Sequence, residues 1–334
     1  MKFAVLKGRE GFGDRLQCLL QAIKYAIATG RVLVVDWRDS DWSHDKRFNF
    51  EYYFKFIGMT NFPYEAFERY VEDYLDKLTV TPSAWKPHLR DDNYERFIYS
   101  RVFQMDNTNQ RVWKIANWEL DDFEEDIVVL PVKGVRTWSY QDFGRVVVQP
   151  WVEERIRGYS GVHGLKSGAY GVIHLRAGSK TWAGGSEEGN NALIKTIRAK
   201  FPSLEAYLET VYKDLLSKQK RAQKEGSDIK SDGQLDLIIL SDSTWIAEEW
   251  AGRYGVGRTL DRVDIGEFKN LSGSHKVSPE RLTEIGSSKT ELNYETLLDF
   301  YLMLNASYVA RDGISLFSQM GDKIRSTKGV YFRF

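Results

Sequence analysis

The sequence has one cysteine, Cys18, no excess of either charge and no long apolar run. A single cysteine excludes an internal disulfide bond and a cysteine-based metal cluster, and it is typical of a reducing compartment. The 47 basic and 47 acidic residues cancel, so no overall field draws the chain towards nucleic acid or an anionic bilayer. Without about 18 consecutive apolar residues, no transmembrane segment is expected. The first residues lack the features of a secretory signal, so we expect a cytoplasmic protein and leave peripheral membrane association open.

The chain has 334 residues, whereas single hydrophobic cores stop growing at about 250–300 residues. Two lobes are therefore expected. The stretch GYSGVHGLKSGAYG, at 158–171, contains several glycines and serines and is the candidate boundary. We predict an N-terminal lobe at 1–160 and a C-terminal lobe at 165–334.

The start of the chain predicts a βαβ unit. An apolar strand at Phe3–Leu6 is followed by a glycine loop at Gly8–Asp14 and by the amphipathic helix LQCLLQAIKYAIAT, which Gly30 ends. A second apolar strand follows at Arg31–Trp37. Two strands joined in this way lie parallel, which indicates an α/β fold.

The second lobe has the same pattern. The strand YGVIHLR is followed by the amphipathic helix FPSLEAYLETVYKDLLSKQK and by the buried strand LIIL. Near the C-terminus we predict a helix, a short strand SYVAR, a turn at Asp312–Gly313 and a final helix. Residues 39–125 have weak periodicity, and short helices and loops are expected there.

Four predicted strands end in polar or glycine residues. In open parallel sheets, ligands bind beyond the carboxyl ends of the strands. The four segments are GREGFGD after the first strand, HLRAG after Ile173, SDS after Leu240, and RDGIS after Val309.

The loop GREGFGDR has the spacing G-x-x-G-x-G, which differs from the dinucleotide-binding G-x-G-x-x-G. A tight turn alone would explain it. In a binding role, Gly11 and Gly13 would let the backbone approach a sugar or phosphate, and Asp14 or Arg15 would point towards the ligand.

His174 and Arg176 are two residues apart on their predicted strand, so their side chains should face the same side of the sheet. A buried arginine at a strand end needs a carboxylate or an anionic ligand, and a guanidinium group matches phosphate bidentately. A core ion pair stays open as the alternative. Asp242, which follows LIILS, would bind a ribose or a purine, or cap the next helix.

Two further segments have candidate roles. The turn DGISLFS would offer free backbone N–H groups and the Ser315 hydroxyl to a phosphate, or it is an ordinary helix N-cap. The triplet at Asp39–Asp41 has the D-x-D pattern of metal-binding glycosyltransferases, but no second ligand-rich segment accompanies it, so we predict no metal.

Several of these segments together resemble the nodulation-factor (NodZ-like) α1,6-fucosyltransferases, which belong with the core and protein O-fucosyltransferases. The likeness begins with GFGDRLQCLLQAIKYAIATGRVLVVDWRDS and continues at Tyr170–Gly178. It then extends through LIILSDS, ETLLDFYLMLNASYV and GISLFS, in the order of the family.

The resemblance implies a GT-B-like fold with two Rossmann-type lobes and an inverting, metal-independent transfer from GDP-fucose to a glycan hydroxyl, with no other cofactor. It implies that Arg176 binds the β-phosphate and helps GDP to leave, and Asp14 is our candidate for orienting or deprotonating the acceptor. Residues assigned to the donor or to the loop near the acceptor are His174, Gly178, Asp242, His275, Gly313, Ser315, Leu316, Gly11 and Gly13.

The chain departs from the family pattern at Ala177, where relatives have a second arginine or a histidine. Another nucleotide sugar is therefore an alternative donor. A glycan-binding module without catalysis is the alternative of a different class. Acceptor, linkage, pathway and oligomeric state do not follow from the sequence.

Overall fold

The structure is a computed structural model. It describes residues 1–8, 10–45, 49–91, 123–130, 140–176, 199–224, 236–241, 244–260, 277–327 and 333–334. The chain divides into two compact units, one mainly of residues up to Pro150 and one mainly of residues from Trp151 onwards. This division precedes the glycine-bearing stretch in which we placed the lobe boundary.

The elements are labelled in chain order among the described residues. The strands are β1 (Phe3–Lys7), β2 (Val32–Asp36), β3 (Phe54–Phe56), β4 (Val80–Thr81), β5 (Ile127–Leu130), β6 (Val146–Val148), β7 (Tyr170–Leu175), β8 (Asp236–Ser241), β9 (Arg258–Thr259) and β10 (Tyr308–Arg311). The α-helices are α1 (Phe12–Thr29), α2 (Phe50–Tyr53), α3 (Tyr64–Tyr74), α4 (Pro150–Val162), α5 (Leu204–Lys224), α6 (Thr244–Tyr254), α7 (Pro279–Glu284), α8 (Lys289–Asn305) and α9 (Leu316–Ser326). Single 3₁₀ segments lie at Leu75–Lys77, Ser83–His88 and Tyr140–Arg145.

The N-terminal unit contains a parallel sheet in the order β2-β1-β5-β4. Every residue of β1 is buried, as expected of a parallel strand covered on both faces. Helix α1 ends at Gly30, whose φ of 67° is in the left-handed region and whose N–H reaches the carbonyls of Ala26 and Ile27. The predicted βαβ unit and its glycine stop are confirmed. A separate antiparallel pair, β3 with β6, was not predicted.

The C-terminal unit contains a second parallel sheet in the order β10-β7-β8-β9. Ile173 and Leu175 of β7 belong to a core that they share with α5 and α6, in which Tyr207 and Trp250 are fully buried. His174, between them in sequence, points to the opposite face because side chains alternate along a strand. Its register partner on β10 is Arg311.

Candidate functional site

The strand ends of the C-terminal unit bring together those predicted donor residues that the structure describes, which are His174, Gly313, Ser315 and Leu316. β7 and β10 are parallel neighbours, so His174, Arg311 and the turn that follows β10 meet at the carboxyl edge of the sheet. This is the edge at which open α/β sheets bind ligands.

His174 is a buried neutral group at this edge. Only 5% of its surface is exposed, and its ring centroid lies 5.8 Å from that of Phe317 in the first turn of α9. Its Nδ1 atom is buried and has no hydrogen-bond partner among the described residues. Burial, followed by the positive charges of Arg176 and Arg311, lowers the pKa of His174 to about 3. The imidazole is thus uncharged near neutral pH and can act as a hydrogen-bonding group there.

The lowered pKa of His174 makes the protein sensitive to acid. The unfolded chain takes up this proton near pH 6.5, whereas the folded state takes it up only near pH 3. Between these values the unfolded state binds more protons, so acidification favours unfolding, with a slope from this group that approaches about 1.4 kcal/mol per pH unit. Urea unfolding at several pH values should show a shallower acid slope for His174→Gln than for the wild type. Parallel slopes for the two proteins would contradict this.

Arg176 lies one residue beyond the end of β7 and is half-buried. Arg176 is therefore at the strand end, as expected, but its side chain is partly exposed and not buried. The backbone N–H of Arg176 donates to the Tyr207 hydroxyl at 2.7 Å. A fully buried phenol thus fixes the backbone from which this guanidinium group extends.

The same phenol connects Arg176 to the turn after β10. The Tyr207 hydroxyl donates to Oδ2 of Asp312 at 3.2 Å, and Asp312 is 3% exposed. The other carboxylate oxygen of Asp312 accepts the N–H groups of Ile314 at 2.7 Å and Ser315 at 3.1 Å. One carboxylate therefore joins β7, α5 and the start of α9.

These bonds correct one detail of the predicted phosphate site. The N–H of Ser315 is not free, since it is already donated to Asp312. Ser315 is the N-cap residue of α9, but its hydroxyl makes no capping bond, because Asp312 takes that role. Gly313 has φ 74°, which glycine adopts without strain, and Leu316 is the first residue of the helix.

Two cations that sequence reasoning missed lie beside this turn. The Lys200 ammonium group donates to the carbonyl of Asp312 at 3.0 Å. Arg311 ends β10, and its Nε lies 3.4 Å from Asp322. The segment RDGIS contained a signal for Arg311, since it is a polar residue at a strand end. Lys200 is distant in sequence and had no such signal.

In the N-terminal unit, α1 begins at Phe12, earlier than predicted. Gly13 and Asp14 are therefore in the first helical turn and not in a loop. Asp14 is half-buried, and a carboxylate in this turn is favoured by the helix dipole. Gly11 is the N-cap with φ −72°, a conformation open to any residue. Glu10 has φ 65°, and its N–H donates to the Asp41 carboxylate.

Arg15 does not point towards a ligand as the sequence suggested. Its guanidinium group is fully buried and pairs with both carboxylate oxygens of Asp39, at 2.8 and 2.5 Å. It also stands 5.5 Å from the rings of Trp37 and Trp42. The D-x-D triplet thus has a structural explanation, because its first aspartate neutralises this buried arginine.

A second buried charge network, also missed by sequence reasoning, lies at the carboxyl ends of β1 and β2. Lys7 and Asp36 are register partners, are fully buried and pair at 2.7 Å. Burial raises the pKa of Asp36, but Lys7 and Arg38 outweigh it, so the net effect lowers the pKa of that carboxyl. Arg38 stacks 3.7 Å above the Tyr64 ring. Nearby, burial raises the pKa of Glu51 to about 7.

Three predicted donor residues, Gly178, Asp242 and His275, lie outside the described residues. Across the ranges that the structure describes, histidine, cysteine and carboxylate side chains form no group of three that could hold a metal ion. Within those same ranges, none of the helices combines the length and apolar character needed to cross a membrane.

Solved structures match this chain along nearly its whole length. A NodZ α-1,6-fucosyltransferase soaked with GDP-fucose has a TM-score of 0.56 and 18% identity, over 96% of this chain and 91% of that one. NodZ from Bradyrhizobium has a TM-score of 0.55 and 18% identity, over 96% and 92%. POFUT1 in complex with GDP-fucose has a TM-score of 0.51 and 12% identity, over 99% and 97%.

This chain has the fold of these fucosyltransferases. The α/β, GT-B-like fold class predicted from the sequence is therefore confirmed. No protein-family model matches the chain, and no curated protein sequence does.

Proposed function

We propose that this protein is an inverting, metal-independent glycosyltransferase that moves fucose from GDP-fucose to a hydroxyl group of a glycan. The observation that carries the proposal is the bonded assembly at the edge of the second sheet. There Tyr207 and Asp312 tie the backbone of Arg176 to the Gly313 turn. Solved structures with this fold were determined with GDP-fucose and with GDP, which supports the choice of donor.

The C-terminal unit would bind the donor. Arg176 would contact the β-phosphate, and the turn formed by Gly313, Ser315 and Leu316 would adjoin the diphosphate. His174 would present a neutral ring nitrogen to the nucleotide. Three further donor contacts are proposed at Gly178, Asp242 and His275.

The N-terminal unit would bind the acceptor. Gly11 and Gly13 lie at the start of α1, and Asp14 in its first turn is our candidate for orienting the acceptor hydroxyl or taking its proton. The hydroxyl oxygen would bond to the anomeric carbon as the bond from that carbon to the GDP oxygen breaks. The charge that develops on the departing diphosphate is the charge that Arg176 would stabilise.

Both aspartates of the D-x-D triplet already have partners within the protein, which supports metal independence. Asp39 is bound by Arg15, and Asp41 accepts the N–H of Glu10. A manganese site at this triplet would have to break a buried ion pair. The single cysteine, buried and free, supports a cytoplasmic location for the reaction.

The test is a donor panel. Thermal shift and hydrolysis assays with GDP-fucose, GDP-mannose, UDP-sugars and CMP-sugars should show stabilisation and turnover with GDP-fucose. Addition of EDTA or manganese should leave the rate unchanged. Preference for another nucleotide sugar would change the donor while keeping the enzyme class. Binding of glycans without any donor turnover would identify a glycan-binding module and overturn the proposal.

A further inference from the structure

Lys200 is a cation beside the Gly313 turn that binds no acidic group within the described parts of the chain. Its Nζ donates to the carbonyl of Asp312 at 3.0 Å and stands 5.2 Å from the centre of the Phe201 ring. Lys200 is exposed to solvent. Its charge is therefore available to a ligand at the edge of the sheet.

Arg311 is a second cation beside Gly313. A Cβ atom placed on Gly313 would lie 3.5 Å from Lys200 Nζ and 3.9 Å from Arg311 Nη1. Both positive groups thus adjoin the side of the turn that has no side chain. An anion bound at this point would be within reach of both positive charges.

Of the two cations, Arg311 pairs with a nearby carboxylate, whereas Lys200 pairs with none among the described residues. The carboxylate oxygens of Asp312 accept hydrogen bonds from the Tyr207 hydroxyl and from two backbone N–H groups, as described above. Asp322 is shared among three cations, with Lys218 at 2.8 Å, Arg325 at 2.9 Å and Arg311 at 3.4 Å. The carboxylate of Asp214 accepts the backbone N–H of Arg311 at 3.0 Å, so none of these three carboxylates neutralises Lys200.

A buried ring nitrogen of His174 lies at the same edge of the sheet. Nδ1 of His174 is buried without a partner among the described residues, and His174 is the register neighbour of Arg311. Its ring contacts Phe317 in the first turn of α9. A phosphate-bearing ligand suits this combination of features. It could bind to the two cations, approach the backbone closely at Gly313, which has no side chain, and pair with the buried ring nitrogen of His174.

We propose that Lys200 is a second phosphate-binding cation, which contacts the diphosphate of the donor over the Gly313 turn. The inference rests on the function proposed above and adds a residue to its donor site. Because Lys200 would hold the diphosphate before and after transfer, its removal should weaken the binding of GDP itself. Guanosine has the same base and ribose without phosphate, so its binding should not depend on Lys200.

The experiment is calorimetric titration of the full chain with GDP and with guanosine. Lys200→Met, which keeps the aliphatic stem, should weaken GDP binding by about tenfold. Guanosine binding should not change, and the salt dependence of GDP binding should become less steep. Lys200→Arg should bind GDP within about threefold of wild type. Lys213→Met, which makes the same change of charge at an exposed position on α5, is the control and should behave as wild type.

The outcomes separate this inference from the proposed function. If wild-type protein does not bind GDP, both are overturned. If wild type and Lys200→Met bind GDP equally, only the role of Lys200 is overturned. Equal weakening of GDP and guanosine would show that Lys200 merely supports the turn, which also overturns it. Lys200→Gln, which can still donate to the Asp312 carbonyl, repeats the test should the methionine variant fail to fold.

Discussion

Arg176→Ala is expected to lower the rate of sugar transfer by about 100- to 1,000-fold, the usual cost of losing one preorganised donor to a developing charge. The guanidinium group would act on the charge that appears on GDP as the glycosidic bond breaks. The loss should therefore appear mainly in kcat, measured with GDP-fucose and a glycan acceptor. The fold should survive, because the bond from Arg176 to Tyr207 uses the backbone N–H, which alanine retains.

Two further variants sharpen this result. Arg176→Lys keeps the positive charge without the planar pair of donors, so its rate should fall between those of the wild type and the alanine variant. Arg157→Ala removes an exposed arginine that pairs with Glu153 on α4, and it should retain full activity. Transfer by Arg176→Ala within a few-fold of the wild type would show that this guanidinium group is not the one that helps GDP to leave.

The sequence predicted those parts of the fold that depend on local pattern. The all-buried strand β1, the amphipathic helix α1 and its stop at Gly30 follow from hydrophobic periodicity and glycine conformation, and the structure has all three. The strands β3 and β6 were missed because they are three residues each, too short to show an alternating pattern.

The candidate site was predictable only where its residues follow strands. His174 and the Gly313 turn were found because the carboxyl ends of parallel strands share one edge. Lys200 was not found, since its contact with Asp312 joins residues far apart in sequence. Tyr207 was assigned to an amphipathic helix, and no pattern in the sequence shows that its hydroxyl joins Arg176 to Asp312.

Charges were the least predictable feature of the N-terminal unit. Arg15 and Asp39 both stood next to candidate motifs, and each was considered for a ligand or a metal. In the structure they bind each other. A charged residue in a sequence does not reveal its partner when that partner is distant along the chain, and burial makes such a pair necessary.

This pair gives the prediction with the largest expected effect on stability. Arg15→Met should lower the free energy of unfolding by about 3–5 kcal/mol, because it leaves the fully buried carboxylate of Asp39 without its cation. The variant also loses the bond from Arg15 Nε to the carbonyl of Glu10 at 2.9 Å. Urea unfolding followed by tryptophan fluorescence measures the change, since Trp37 and Trp42 adjoin the guanidinium group.

The double variant Arg15→Met/Asp39→Asn separates pairing from packing. Asparagine removes the unpaired charge while its carbonyl can still accept the N–H of Asp41, so the double variant should be more stable than Arg15→Met alone. Arg157→Met breaks an exposed pair and should cost less than about 1 kcal/mol. Equal stability of wild type and Arg15→Met would show that the pair is absent in solution. Because Arg15 also anchors Glu10 and the start of α1, a confirmed loss would mean that the segment with Gly11, Gly13 and Asp14 is positioned by a buried ion pair.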